Sequence, residues 1–177
     1  MKNRRNLITM LLLATVFLTP GLAAYVFYQH TDWLGAAKTN KGVLLNPPIA
    51  LAILNKAPKW KLVFWNPGIC ENACQQELDK LARVRLALGR RLYEVQIDFL
   101  MNLDASQLSG VLTDRLHKAD INLIPIPGNK RQELTVLPSH SQTFIANPNN
   151  FLVLAYQSSA KPDDIFHDIK RLLTVKE

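Results

Sequence analysis

The chain opens on an unbroken apolar run. From Leu7 to Tyr28 there is no charged residue, and Leu, Ile, Val, Phe, Met and Ala dominate. A helix of about 22 residues is long enough to cross a hydrocarbon core of roughly 30 Å, so the run predicts a membrane-spanning helix. Pro20 and Gly21 interrupt it, and both are tolerated in such helices. Lys2, Arg4 and Arg5 precede the run, whereas no positive cluster follows it before Lys38. The positive-inside bias therefore puts residues 1–6 in the cytoplasm and everything after Gln29 outside. A cleaved signal peptide is the competing reading, with the apolar stretch Leu7–Leu18 and the small residues Gly21, Ala23 and Ala24 as its cleavage region. The apolar character continues through Tyr25, Val26, Phe27 and Tyr28, past where a signal should end, which favours an uncleaved anchor. Under either reading the rest of the chain is exported.

Beyond the anchor the pattern changes twice. Residues 31–58 contain Gly35, Gly42 and the pair Pro47-Pro48, which exclude a continuous helix. Within them Val43-Leu44-Leu45 and Ile49–Leu54 are apolar enough to lie against a folded domain, so the segment reads as an extension that packs on the fold. From Lys59 onwards, elements alternate. Trp60–Asn66 is a short, nearly continuous apolar run, as in a strand buried on both faces. Pro67-Gly68 turns the chain into a helix over Cys70–Arg91, in which Cys74, Leu78, Leu81, Leu88 and Leu92 recur at helical spacing. Tyr93–Leu100 alternates like a strand, and Ala105–Lys118 is a second helix through Leu108, Val111, Leu112 and Leu116. Ile121–Ile126 is a brief extended piece, and 127–139 is a polar loop. Gln142–Ala146 and Phe151–Tyr156 form a hairpin around Asn147-Pro148-Asn149-Asn150. A last helix starts at Pro162, where Asp163 and Asp164 suit its positive end and Lys170 and Arg171 its negative end.

The order β-α-β-α-β-β-α predicts an α/β, thioredoxin-like fold: a mixed central sheet flanked by helices, preceded by a transmembrane helix. Three segments result. Residues 1–30 are the cytoplasmic flank and anchor, 31–58 the extracytoplasmic extension, and 59–177 the thioredoxin-like domain.

With 177 residues there is room for one such domain and little more. The net charge of +7 includes the three cations before the anchor. The remainder is scattered over helices, as in Lys80, Arg83, Arg85, Arg90 and Arg91, which reads as solvated surface with a weak attraction to anionic lipid. No basic run is interleaved with aromatics, so nothing argues for nucleic acid. No Ser/His/Asp set, paired-carboxylate site or Gly-rich phosphate loop stands out, and no small-molecule substrate is evident. Asp98 and Asp104 read as residues of a strand-end turn.

The chemistry rests on the cysteines. Cys70 and Cys74 are the only two, and they lie where the first strand turns into the first helix. Cys74 in the first helical turn and Cys70 just before it bring their sulfurs together, and the free N–H groups of that helix favour thiolates. Such a pair closes a disulfide, performs thiol exchange or offers two soft ligands. A purely structural bridge across so short a loop adds little stability. Zinc wants four ligands, which this chain does not supply with cysteine. Two thiolates and one imidazole suit copper, with soft sulfur favouring Cu(I). Of the four histidines, His30 stands at the membrane exit and His117 and His167 fall within helices. His140 is the candidate third ligand, because it lies in the Pro138–Ser141 loop directly before a strand, and in this fold that loop borders the cysteine turn.

An anchor, a strand, Cys70-x-x-x-Cys74 opening a helix and a late histidine before a strand together resemble the Sco/SenC family. The ending Thr143–Pro148 followed by Phe151–Leu154 is similar to that family's strand, turn and next strand. The stretches Leu81–Gly89 and Asp168–Leu173 look like a proteobacterial branch of small membrane-anchored, Sco-like proteins. The resemblance spans roughly residues 59–173. It implies a thioredoxin-like copper chaperone and thiol oxidoreductase for cytochrome c oxidase assembly. Cys70, Cys74 and His140 would then be the metal ligands, copper as Cu(I) or Cu(II) the cofactor, and an oxidase subunit or another respiratory assembly factor the partner. The location implied is the inner membrane, with the C-terminal domain in the periplasm. Two other classes remain open. One is a thiol–disulfide oxidoreductase with Cys70 attacking and Cys74 resolving. The other is a non-catalytic assembly module in which the thiols are incidental.

Overall fold

The computed structural model describes residues 2–30, 39–54, 57–102, 110–126 and 136–174. The chain forms two compact units, residues 1–39 and 40–177. The first is built on helix α1 (Lys2–Gln29). Its stretch Asn6–Gln29 is, among the described residues, the one helix long and apolar enough to cross a membrane. Its apolar side chains from Leu7 to Tyr28 all point outward, as a helix solvated by lipid requires.

The second unit is a six-stranded sheet with helices against it. In chain order its elements are β1 (Val43–Ala50), β2 (Trp60–Asn66), α2 (Asn72–Ala87), β3 (Val95–Met101), α3 (Gly110–Lys118), β4 (Ile121–Pro125), β5 (Gln142–Ala146), β6 (Phe151–Tyr156) and α4 (Pro162–Thr174). The strand order is β1-β6-β5-β2-β3-β4. β2 runs parallel to β3 and antiparallel to β5, and β3 runs parallel to β4. β2 is thus central, and β3 is paired on both sides as well. Both are buried along nearly their whole length, which is why their sequences read as continuous apolar runs.

Alternate residues of the strands serve two cores. Leu62, Phe64, Ile97, Phe99, Ile145 and Leu154 face the helices, where Leu78 and Leu81 of α2, Leu112 and Leu116 of α3 and Ile165 and Ile169 of α4 join one cluster. Phe64 and Phe99 are register partners and stack at 5.6 Å between ring centroids, worth about 1 kcal/mol beyond their burial. Val63, Trp65, Leu100, Phe144 and Leu152 face the other way and pack on Leu51, Leu54 and Leu137.

The extension contributes β1, an edge strand antiparallel to β6. Its register shifts between Leu44 and Ile49, where Pro47 and Pro48 sit. Proline is tolerated there because one side of an edge strand needs no ladder donors. The chain enters this strand through a buried clamp. Asp168 of α4 accepts bonds from the Lys41 amide at 2.8 and 3.0 Å, from the Gly42 amide at 2.8 Å and from the Tyr156 hydroxyl at 2.7 Å. His167 Nδ1 lies 3.0 Å from the same carboxylate. Burial alone would raise the Asp168 carboxyl, but the bonds from Gly42, His167, Tyr156 and Lys41 outweigh it and hold the group below its ordinary range. Gly42 has no substitute here: a Cβ would stand 2.6 Å from the Tyr156 ring.

Several expectations are corrected. The helix expected over Cys70–Arg91 stops at Ala87, because Gly89 turns left-handed (φ 60°) and a 3-10 turn, Gly89–Glu94, leads into β3. The following strand accordingly begins at Val95, not Tyr93. Arg85 is not solvated surface: it is buried, donating to the carbonyls of Leu92 and Val95 and pairing with Asp120 at 2.7 Å. Asp98 is not in a turn but fully buried in the middle of β3, accepting from Gln96 and Asn122. Burial pushes its carboxyl up, partly offset by those two donors and by Lys61. Lys61, fully buried on β2, donates to the carbonyls of Ala57 and Lys59, and burial pushes its ammonium down. Asp104, Leu108 and most of the loop 127–139 lie outside the described residues.

Candidate functional site

The site is assembled where β2 gives way to α2. The central strand ends at Asn66, Pro67 and Gly68 turn the chain, and α2 begins at Asn72 with Glu71 as its extended N-cap. Glu71 makes no side-chain capping bond, so the first amides of α2 are not consumed by its carboxylate. Cys74 lies in this first turn and Cys70 on the loop before it. Their sulfurs are joined in a disulfide with the Cα atoms 5.1 Å apart, inside the range a disulfide requires. The two halves differ in exposure. Cys74 is 7% exposed and belongs to the helix-side core, whereas Cys70 is half-buried beside the exposed Ile69. Of the two, Cys70 is the more open to solvent.

His140 lies in the loop preceding β5, and its side chain is exposed. That loop is tied to the cysteine turn through Asn66, a buried residue the sequence did not single out. Asn66 Nδ2 donates to the carbonyls of Gly68 and Ile69, at 3.0 and 3.4 Å. Its Oδ1 accepts from Ser141 Oγ at 2.8 Å. Trp65 adds a second tie, with Nε1 donating 2.7 Å to the Pro138 carbonyl. Two side chains at the end of β2 thus hold the cysteine turn and the His140 loop side by side. Among the described residues, however, no three His, Cys, Asp or Glu side chains are grouped so as to hold a metal. The donor chemistry itself fits a soft cation: reduction of the bridge releases two adjacent thiolates, the ligands Cu(I) prefers.

Glu77, also missed in the sequence, stands one turn beyond Cys74. It is buried, accepts from Thr143 Oγ1 of β5 at 2.8 Å and pairs with Lys80 at 2.7 Å. Lys80 in turn donates 3.0 Å to the Ala160 carbonyl, so α2 is bolted to both the sheet and the turn before α4.

A strand, a turn and a helix start carrying a cysteine pair, on a mixed sheet completed by an antiparallel hairpin and a final helix, define a thioredoxin-like thiol domain. The family model for the transmembrane-like, thioredoxin-like, C-terminal domain matches residues 60–176, and the chain belongs to that family. Sco proteins are among its structural neighbours. The solution structures of apo Sco1 from Thermus thermophilus superpose with a TM-score of 0.57 at 19% identity, over 75% of this chain and 96% of that one. Yeast Sco1 with copper bound gives 0.56 at 19% identity, over 70% of this chain and 83% of that one. A yeast mitochondrial 1-Cys peroxiredoxin gives 0.51 at 14% identity, over 67% and 66%. At these identities the likeness is one of fold, and it is shared by copper-bound and by thiol-active proteins alike. No curated protein matches the sequence.

Proposed function

We propose that this chain is a membrane-anchored, Sco-like protein that carries copper as its cargo and serves the assembly of a respiratory oxidase. Residues 1–30 form the anchor with a cytoplasmic N-terminus, 31–58 the extension, and 59–177 the thioredoxin-like domain on the outer, periplasmic face of the inner membrane. Cys70 and Cys74 bind Cu(I) as thiolates after the bridge is reduced, and His140 supplies the third donor. The observation carrying this reading is the cysteine pair at the start of α2, side by side with the His140 loop through Asn66. A cytochrome c oxidase subunit, or a factor acting on one, is the partner this chemistry fits.

The closed disulfide favours one second reading, thiol–disulfide exchange with an exported partner, with Cys70 attacking and Cys74 resolving. One experiment separates the two. The full chain in detergent micelles is reduced and titrated with Cu(I) against a competing chelator. Copper carriage predicts one Cu(I) per chain, lost in Cys70→Ser and Cys74→Ser and weakened in His140→Ala. Exchange predicts that His140→Ala is silent and that Cys74→Ser accumulates a covalent partner. Copper retention unchanged in both cysteine variants would refute the copper reading.

A further inference from the structure

One wall of a cleft of about 790 Å³ is a single stripe of α2. Ala73, Gln76, Glu77, Lys80, Arg83, Val84 and Ala87 recur there at spacings of three and four, which places them along one helix face. The turn Ser158–Pro162 and the Phe166 ring of α4 form the opposite wall. Small residues line part of both walls, Ala73 and Ala87 on one side and Ser158, Ser159 and Ala160 on the other. Its size is that of a ligand cleft. The lining includes Ala73, the sequence neighbour of Cys74 in the first turn of α2, so one end of the cleft lies at the helix turn that carries the thiol pair.

The charges of the cleft have a definite sign once internal pairs are set aside. Glu77 and Lys80 neutralise each other at 2.7 Å, and Lys80 is further held by the carbonyls of Ser158 and Ala160. Arg83 and Lys161 remain, one on each wall and both exposed. Among the described lining residues Asp163 is the one other acid, and it lies in the first turn of α4, where the free amides of the helix offset it. A segment lying in the cleft thus passes between two cations, with Val84 of one wall and Phe166 of the other as apolar lining.

We propose that this cleft binds an acidic segment of the partner polypeptide, adjacent to the partner cysteine that meets Cys70. The inference rests on the reading of Cys70 and Cys74 as the working thiols and adds the partner's chemistry: carboxylates alternating with small apolar residues beside its cysteine. Complementary charge of this kind speeds and orients docking more than it tightens it.

The test uses the full chain in detergent micelles and two 12-residue probe peptides, one alternating Glu with Ala, its twin alternating Lys with Ala. Each ends in a cysteine activated as its thionitrobenzoate disulfide. In Cys74→Ser the Cys70 thiolate attacks the peptide sulfur, forms the protein–peptide bond and expels one thionitrobenzoate anion, which is read by absorbance. The acidic peptide should react at least about tenfold faster than its twin, with the advantage lost at high salt. R83E/K161E should reverse the order, and reaction of each protein with the glutathione–thionitrobenzoate disulfide reports that its Cys70 thiol is intact. Equal rates for the two peptides, or a preference that survives R83E/K161E, overturn the proposal. Fluorescence anisotropy with labelled, cysteine-free versions of both peptides measures the cleft alone. If no disulfide reacts, glutathione's included, the thiol reading of Cys70 falls while anisotropy still decides the cleft. Anisotropy showing no preference for the acidic peptide overturns the cleft proposal even when thiol exchange is intact.

Discussion

Removing the Asp168 carboxylate should cost a large share of the stability of the C-terminal unit. In Asp168→Ala the Gly42 amide and the Tyr156 hydroxyl lose their acceptor in a buried setting, and the part-buried Lys41 amide loses both of its bonds. Water reaches the last more readily than the first two. Two buried donors without partners, at about 1–3 kcal/mol each, give a loss of about 4 kcal/mol at neutral pH. Against a total of about 5–15 kcal/mol for a domain, that is severe but survivable. The loss also depends on pH in a definite direction. Asp168 is held below its ordinary value of 3.8, so its proton binds more weakly in the folded than in the unfolded chain. The stabilisation is complete above the unfolded value and disappears as pH falls through it towards the folded one. Urea unfolding of the full chain in micelles, followed through Trp60 and Trp65 on β2, gives both quantities. The gap between wild type and Asp168→Ala should be about 4 kcal/mol at pH 7 and should close progressively in acid. A gap under about 1 kcal/mol, or one that widens as pH falls, refutes the clamp as described.

Two further perturbations probe the same unit. Gly42→Ala places a methyl 2.6 Å from the Tyr156 ring, and the overpacking should cost about 3 kcal/mol in thermal or urea unfolding. Combined with Tyr156→Leu, which removes the ring, the loss should be clearly less than the sum of the two single losses. Asn66→Ala deletes the three bonds joining the cysteine turn to the His140 loop, at a cost of about 2 kcal/mol. Amide exchange at residues 68–71 and 139–142 should accelerate together, whereas exchange in α4 should not change.

How much of this was legible in the sequence depended on how local the signal was. The buried strand Trp60–Asn66 and the placement of Cys74 one turn into a helix follow from runs and spacings a few residues long, and both stand in the fold. β1 was hidden because Pro47 and Pro48 are read as breakers, and only pairing with β6, more than a hundred residues later, makes a strand of that segment. Asp168 showed only as one residue of the final helix, since its partners at Lys41 and Gly42 are 127 and 126 positions away. Arg85 and Asp98 were misread for a related reason: charge predicts exposure unless the acceptors or donors that satisfy it are known, and here those come from neighbouring strands and turns. The loop carrying His140 was expected beside the cysteines, but Asn66, which holds it there, carried no periodic or motif signal.

β1 also changes what counts as a separable piece of this protein. A fragment cut at 59, the point where the apolar pattern first turns regular, would leave β6 with one side unpaired. Leu152 and Leu154 would lose their register partners, and the carboxylate of Asp168 would lose both amide donors from Lys41 and Gly42. An uncovered strand edge next to apolar side chains is a template for pairing with another chain. Such a fragment should be prone to self-association, whereas release by cleavage ahead of residue 40 keeps the edge sealed. β1 therefore doubles as an intramolecular guard against aggregation.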